Sequence, residues 1–559
     1  MQKDDFWDEV RRGIIGGDAV IDTPFGRRRV TYADHTASGR AVTLVEDRIR
    51  AILETYGNTH TEDDATGGLT SGLLHEAEAR IKKLVNAGPR HKIVAVGAGT
   101  TAAVHHLQQI LGIYLPPAGR AMFQSLLREH LPAPACDELI AALQARRPVV
   151  FVGPYEHHSN EVSWRECFAE VVEIELTADG RLDLEDLRAK VSDPAWGGRR
   201  RIGAFSAASN VSGVTTPVYD VARILHQNDA LAFFDFAAAA PYVEMDMRRD
   251  TEAEFDALYF SPHKFLGGPG SSGVLIFHER IYRRDLAPTV GAGGTVDYVS
   301  FDDQAYSEDV EVREKAGTPG ILQTIRAALA MELKERLGQS RIEQREADLT
   351  RRAQSLLCAH PSIELMGGVE PEEKLPIFSF NIRVGPSWLH PRFVTTLLND
   401  LFGIQSRAGC SCAAPYGHRL LHIDPRKSAE FRRTIACGNV GLKPGWTRVN
   451  FHFLHTDAEV DFLCRAILFV AEHGKEFLPL YRFDMRSGSW KHASAAPMPA
   501  ATRLFVDAAD RPAAREPGTT ERFQQYLREA EERAASLRSG WSDGELKTTE
   551  KDLIPFVYV

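Results

Sequence analysis

Tyr259-Phe-Ser-Pro-His-Lys-Phe-Leu-Gly-Gly-Pro-Gly-Ser-Ser-Gly273 closes one apolar run, sets a lysine in the turn that follows, and opens another run at Gly273-Val-Leu-Ile-Phe277. A lysine buried between two strands is costly unless it has a task, because a low dielectric disfavours the ammonium. The same desolvation depresses its pKa and lets the free amine attack an aldehyde at neutral pH. Lys264 is therefore a candidate for Schiff-base chemistry. In isolation an exposed loop lysine would look the same, so the flanking segments decide.

Outward from this stretch, buried-strand runs recur: Lys92–Gly97, Pro148–Gly153, Val171–Leu176, Arg201–Ser206, Ala230–Phe236 and Ser272–Phe277. Amphipathic segments such as Leu184–Val191 and Val218–Gln227 separate them. This alternation predicts an α/β domain with a large, mainly parallel sheet, and a ligand at the carboxyl ends of its strands. After Phe277 the pattern changes to a glycine-rich loop, Gly291–Gly294, an acidic stretch, Ser307–Glu314, and a long helix from about Gly320. Short strands and helices from Ile377 onward predict a smaller α+β C-terminal domain. Beyond Tyr481 an Ala/Pro-rich stretch precedes one amphipathic helix, Arg522–Ser539. The expected partition is an N-terminal segment (1–29), a large domain (30–320), a small domain (321–480) and an appended tail with one helix (481–559).

Three segments support Lys264. Ala232-Phe-Phe-Asp-Phe-Ala237 ends an apolar run in a carboxylate, Asp235, suited to pair with a protonated pyridine nitrogen. Val96-Gly-Ala-Gly-Thr-Thr-Ala102 joins a strand to a helix, the setting in which backbone N–H groups and the hydroxyls of Thr100 and Thr101 hold a phosphate. Gly153-Pro-Tyr-Glu-His-His-Ser-Asn160 brings imidazoles able to stack on an aromatic ring or move protons.

Bulk properties narrow the classes. With 559 residues and 43% hydrophobic content the chain supports more than one core. A net charge of −10 argues against a general polyanion binder, so no nucleic-acid partner is expected. No apolar run approaches the roughly 20 residues of a membrane helix, and Met1–Gly17 lacks a signal-peptide core, so no membrane partner and a cytoplasmic location are expected. Seven thinly spread cysteines do not form a disulfide framework. Cys410 and Cys412 lack a second Cys or His pair at zinc-ligand spacing, and no metal site is expected.

Taken in order, these segments resemble the class V aminotransferase-fold enzymes, and among them the group II cysteine desulfurases and selenocysteine lyases. The resemblance spans about Val30 to Glu472. It implies pyridoxal 5'-phosphate (PLP) as cofactor and fold type I, the aspartate aminotransferase-like architecture. It implies Lys264 as the Schiff-base lysine, Ser261 and His263 as phosphate ligands, and Asp235 as the pyridinium partner. His157 matches the histidine stacked on the ring, Asn210 the asparagine beside the cofactor, and Thr100 and Thr101 the phosphate loop. Lys315-Ala-Gly-Thr-Pro319 resembles the segment whose threonine reaches the neighbouring subunit's phosphate, so Thr318 implies a homodimer with shared active sites. His35 and His60 fall in the N-terminal, substrate-side segments. Arg407-Ala-Gly-Cys-Ser-Cys412 is similar to the desulfurase Arg-x-Gly-x-x-Cys segment, with Arg407 for the substrate carboxylate, Cys412 for the persulfide and Arg448 as a nearby second arginine. One position departs: the family has Gln or His three residues after the pyridinium Asp, and this chain has Ala238.

The resemblance implies a cysteine desulfurase or C–S lyase that yields alanine and an enzyme persulfide, with a small amino-acid substrate and a sulfur acceptor protein as partners. Ala238 keeps open an aminotransferase, epimerase or β-eliminating lyase acting on another amino acid. A PLP-fold scaffold without turnover is the reading from a different class.

Overall fold

The structure is a computed structural model that describes residues 3–59, 61, 63–494, 515–538, 547–548 and 556–558. The chain packs as two compact units. The larger comprises Ser38–Ser209 and Thr215–Gln339; the smaller comprises Met1–Ala37, Asn210–Val214 and Ser340–Val559.

The larger unit is built on seven strands: β1 His91–Val96, β2 Val149–Val152, β3 Glu170–Glu173, β4 Arg201–Ser206, β5 Ala230–Asp235, β6 Ala257–Phe260 and β7 Gly273–His278. Their order is β1-β7-β6-β5-β4-β2-β3. Only β7 runs against its neighbours, β1 and β6; the remaining pairs are parallel. The strands at the middle are apolar almost throughout because both faces are covered, as parallel sheets require. Val150, Val152, Phe233, Tyr259 and Leu275 pack with Val104 and Leu107 of helix Thr100–Ile110 in one core. Register places Ser206 beside Asp235 and Asp235 beside Tyr259. The loops after β1, β2, β4, β5 and β6 thus leave the sheet on one side, which is where the sequence expects a ligand.

The smaller unit holds the antiparallel pairings of Ile377–Val384 with Ile363–Leu365 and Trp446–Asn450, and of Trp446–Asn450 with Arg407–Gly409. Helices Pro391–Phe402 and Asp457–His473 cover this sheet, the second opened by a reciprocal Thr456/Glu459 capping box.

These units differ from the partition expected from composition. The first 37 residues belong to the smaller unit, where Thr31–Tyr32 pairs in parallel with Ile404–Gln405. Helix Ile321–Leu337 belongs to the larger unit. Helix Thr520–Arg538, expected in an appended tail, lies in the smaller unit's core through Phe523, Tyr526, Leu527, Ala530 and Ala534. Its apolar stripe has a full partner surface, and Tyr526 Oη accepts the Arg29 N–H at 3.1 Å while the Arg28 guanidinium lies over its ring.

Candidate active site

The expected site residues fall into two groups, one in each unit. In the larger unit the lysine sits in a short 3-10 turn, Pro262–Lys264, directly after β6. Backbone packing fixes this turn. Gly39 N–H donates to the His263 carbonyl at 2.9 Å, and a Cβ at Gly39 would lie 1.9 Å from the Phe265 oxygen. A Cβ at Gly268 would lie 1.9 Å from the Pro262 oxygen. Only glycine permits either approach.

Around the lysine the expected cofactor residues converge. Ser261 is buried, and its Oγ accepts the Thr100 N–H at 2.9 Å; His263 Nδ1 lies 2.8 Å from the Ala98 carbonyl. At Gly99 a Cβ would meet His263 Cε1 at 2.9 Å, so the loop can pack this closely only with glycine. Helix Thr100–Ile110 begins at this glycine, which has no side chain to cap it, and a helix N-terminus favours an anion.

Asp235 ends β5 and is buried. Burial pushes its carboxyl up from the usual range, opposed by the Ala237 N–H, the Lys264 charge and the Thr100 hydroxyl. Thr100 Oγ1 donates to Oδ1 at 3.3 Å and the Ala237 N–H donates to the same oxygen at 2.8 Å. Both bonds fall on Oδ1, which leaves Oδ2 for a further donor. A protonated pyridine nitrogen is such a donor, and with the glycine-led helix N-terminus beside Ser261 and His263 the residues present fit PLP.

His157 and Thr101 join this group through Ser159. Thr101 Oγ1 lies 2.7 Å from Ser159 Oγ, which lies 3.1 Å from His157 Nδ1. The Ser159 N–H also donates to Nδ1, at 3.1 Å, so the neutral ring carries its proton on Nε2. Burial, then the Lys264 charge, lowers the pKa of His263.

Glu156, quoted in the sequence but given no role there, lies beneath this group. It accepts the Gly153 and Ser206 N–H groups at 3.2 and 2.8 Å, and contacts Asn160 Nδ2 at 2.7 Å and Ser206 Oγ at 2.5 Å. Asn160 Oδ1 in turn accepts from Tyr259 Oη at 2.6 Å and Trp164 Nε1 at 3.2 Å. Burial pushes Glu156 up to about 8, against the bonds from Ser206 and Asn160 and with the Asp235 charge. A neutral carboxyl thus ties the loop after β2 to the end of β4, next to Asp235.

In the smaller unit Arg407 and Arg448 are cross-strand partners. Like charges directly opposite repel. Asp34 resolves the conflict by dividing its oxygens: Oδ2 accepts Arg407 Nε and Oδ1 accepts Arg448 NH2, each at 2.9 Å. Arg448 is buried and also donates to the Asn210 carbonyl at 2.8 Å. The Arg407 side chain remains 51% exposed. Two guanidiniums and one carboxylate leave a net positive charge, which suits a carboxylate ligand.

Asn210 Nδ2 donates to the Ser411 carbonyl at 2.7 Å, and Trp446 Nε1 donates to Ser411 Oγ at 3.2 Å. These bonds hold a turn in which Ser411 and Cys412 both have left-handed φ, +51° and +55°. Such backbone costs about 1–2 kcal/mol per residue outside glycine. Cys412 is exposed, Cys410 half-buried, and both are free thiols.

The remaining candidates are placed differently. His35 is buried, stacked on His452 at 4.0 Å with Tyr32 edge-on at 4.9 Å. Its neighbour Asp34, rather than His35, makes the polar contacts to the arginines. Thr318 is exposed, with Asn58 Nδ2 at 3.5 Å from its hydroxyl. Ala238 lies buried in the turn Ala237–Ala240 and brings no donor. His60 lies outside the described residues.

Fold and site define the class of fold type I PLP enzymes. The aminotransferase class-V family profile matches residues 135–463, more than half of the chain, and the chain belongs to that family. It is similar to a protein from Staphylococcus aureus (strain COL) named probable cysteine desulfurase, 29% identical over 407 residues that cover 72% of this chain and 87% of the relative. A protein of the same name from Staphylococcus epidermidis (strain ATCC 12228 / FDA PCI 1200) is 28% identical over 409 residues, 72% of this chain and 88% of the relative. Among solved structures, the apo cysteine desulfurase from Thermococcus onnurineus NA1 superposes with TM-score 0.63 at 23% identity, over 83% of this chain and 98% of that one. The Escherichia coli cysteine desulfurase CsdA gives TM-score 0.58 at 23% identity, over 79% and 94%. The family's cofactor is PLP.

Proposed function

We propose that the chain is a PLP-dependent desulfurase that takes sulfur from free L-cysteine or selenium from selenocysteine and leaves alanine. The observation that carries this reading is Asp235, buried, within the field of Lys264, with both protein bonds on one carboxylate oxygen. When bound, PLP supplies an electron sink for bonds at the substrate α-carbon. Lys264 attaches the cofactor and, once released, holds the amine that accepts the α-proton. Asp235 keeps the pyridine nitrogen protonated, His157 stacks on the ring, and Thr100, Thr101, Ser261 and His263 hold the phosphate. Arg407 takes the substrate carboxylate, and Asp34 fixes its guanidinium through Nε. Cys412 is the nucleophile: its thiolate attacks the substrate sulfur, an S–S bond forms, and the C–S bond breaks. The electron pair leaves with carbon, which takes a proton and becomes the methyl group of alanine. The sulfur stays as a persulfide on Cys412.

Asn210 beside the cofactor and Thr318 at the partner's phosphate complete the assignment, the latter in a homodimer with shared sites. Sedimentation as an active monomer at assay concentration would refute the dimer. No described helix is long and apolar enough to cross a membrane. A reducing cytoplasm suits the chemistry because it keeps Cys412 a thiol. The domain organisation proposed for this function follows the two compact units, with the cofactor group in the larger.

Ala238 favours one further reading, a lyase or aminotransferase acting on another amino acid, because the donor to the cofactor's phenolic oxygen is missing. Incubating the purified enzyme with single amino acids and detecting alanine, sulfide, pyruvate and keto acids separates the two. Alanine from cysteine supports desulfuration; pyruvate or keto acids from another amino acid support the alternative.

A further inference from the structure

From Cys410 to Lys443 the chain carries six basic residues and two acidic ones, although its net charge is −10. Among the described residues Arg426, Lys427, Arg432, Arg433 and Lys443 form no ion pair. Arg426, Arg432, Arg433 and Lys443 are exposed. Four of these unpaired cations lie on helix Pro425–Ala436, which follows helix Ala414–Leu420. The helices enclose a cavity of about 180 Å³ whose wall includes Leu421, Ile423, Phe431, Ile435 and Trp446. Cys410 lines the same cavity, with Arg432 and Lys443 at its edge.

The polar groups in this wall are already satisfied. His418 Nδ1 lies 2.6 Å from the Ala414 carbonyl and its Nε2 lies 2.9 Å from Ser428 Oγ. What the cavity offers an occupant is therefore apolar. It is smaller than the roughly 300–1,000 Å³ typical of small-molecule sites. Its size suits a single side chain, and a buried apolar or aromatic anchor in a pocket is what dominates protein interfaces. The cations at the edge require acidic flanks around that anchor. A nucleic acid would use the cations but has no need of the apolar socket, since phosphate contacts are electrostatic.

We propose that this face docks an acidic protein segment that seats one large apolar side chain, Phe or Leu, in the cavity beside Cys410. Docking there brings the partner to Cys410 and to exposed Cys412 two positions on. The surface stands whether or not the sulfur chemistry above is correct, because it rests on the cavity and the unpaired charges.

The test measures fluorescence anisotropy of a labelled hexapeptide, Asp-Glu-Glu-Phe-Glu-Asp, added to the holoenzyme at about 0.15 M salt. The same peptide with Ser for Phe should bind at least about tenfold more weakly. The Arg432→Glu, Arg433→Glu variant changes only exposed positions of a helix and should also bind about tenfold more weakly while keeping its circular dichroism. Ala414→Phe, which fills the cavity, should remove the preference for Phe over Ser. Equal affinity for the two peptides, binding unchanged by the charge reversal, or no binding up to about 1 mM would overturn the proposal. So would an oligonucleotide of equal charge that binds as tightly as the Phe peptide.

Discussion

Lys264 is the residue on which the cofactor assignment can be tested most directly. Lys264→Ala should abolish the visible absorbance of the lysine-bound cofactor and the label that borohydride fixes onto the chain. A labelled tryptic peptide from another lysine would end the assignment. The two neighbouring thiols separate sulfur transfer from other chemistries. Cys412→Ser should keep that absorbance yet abolish persulfide formation and lower alanine release from cysteine by orders of magnitude, because a hydroxyl does not accept sulfur. Cys410→Ser should cost much less, and the reverse pattern would move the nucleophile to Cys410. Lys264 and Asp235 were singled out in the sequence by the ordered series of segments around them, since a charged residue at the end of an apolar run has benign explanations when taken alone. Glu156 and Asp34 were not. Glu156 looks like any polar loop residue until the fold turns it under β4, and Asp34 is 373 positions from the arginine it holds. Such partners are set by tertiary contact and leave no local pattern.

At the scale of elements, strands were read well because their signal is their burial. Val149–Val152 is buried at every position, and β-branched runs of that kind have one reading in an α/β domain. The helix at Thr520–Arg538 shows the opposite limit. Its period was visible in the sequence as Phe523, Tyr526, Leu527 and Ala530, but a period says that a face is covered and not by what. Composition before it suggested an appendage; the structure buries that face in the smaller unit. The consequence is measurable. Tyr526 is 1% exposed, and Tyr526→Ala should destabilise the smaller unit by about 3–5 kcal/mol, as for other large aromatic truncations. A chain ended near Tyr481 should show a larger loss. Thermal unfolding of the two proteins checks this, and an unchanged melting curve in both would return the helix to the status of an appendage.

For the whole molecule, buried titratable groups in both units determine how stability follows pH. His91, in the larger unit, is lowered to about 4 by burial, which outweighs the Glu254 carboxylate at 3.5 Å; the His278, Lys82 and Arg280 charges push the same way. His390, in the smaller unit, is also lowered to about 4 by burial. Its Nε2 donates to the Gly441 carbonyl and its Nδ1 accepts the Arg392 N–H, so the neutral ring is fully used. Both rings are neutral when folded and charge in the unfolded chain near 6.5. The stability they lend is whole above about 6.5 and is lost as pH falls through about 4, about 3 kcal/mol for His390. Glu156 acts in the opposite sense. Raised to about 8, its contribution is whole below the unfolded carboxyl range and is lost as pH rises through about 8. Lowered histidines such as His91 and His390 make stability rise with pH toward about 6.5, whereas raised carboxyls such as Glu156 make it fall with pH toward about 8. Denaturant unfolding from pH 4.5 to 8 measures both limbs. His390→Asn, which keeps a helix-capping side chain at that position, should flatten the acid limb by up to one proton, and Glu156→Gln should flatten the alkaline one. An acid limb of unchanged slope in a variant lacking both His91 and His390 would show that other groups govern the acid response.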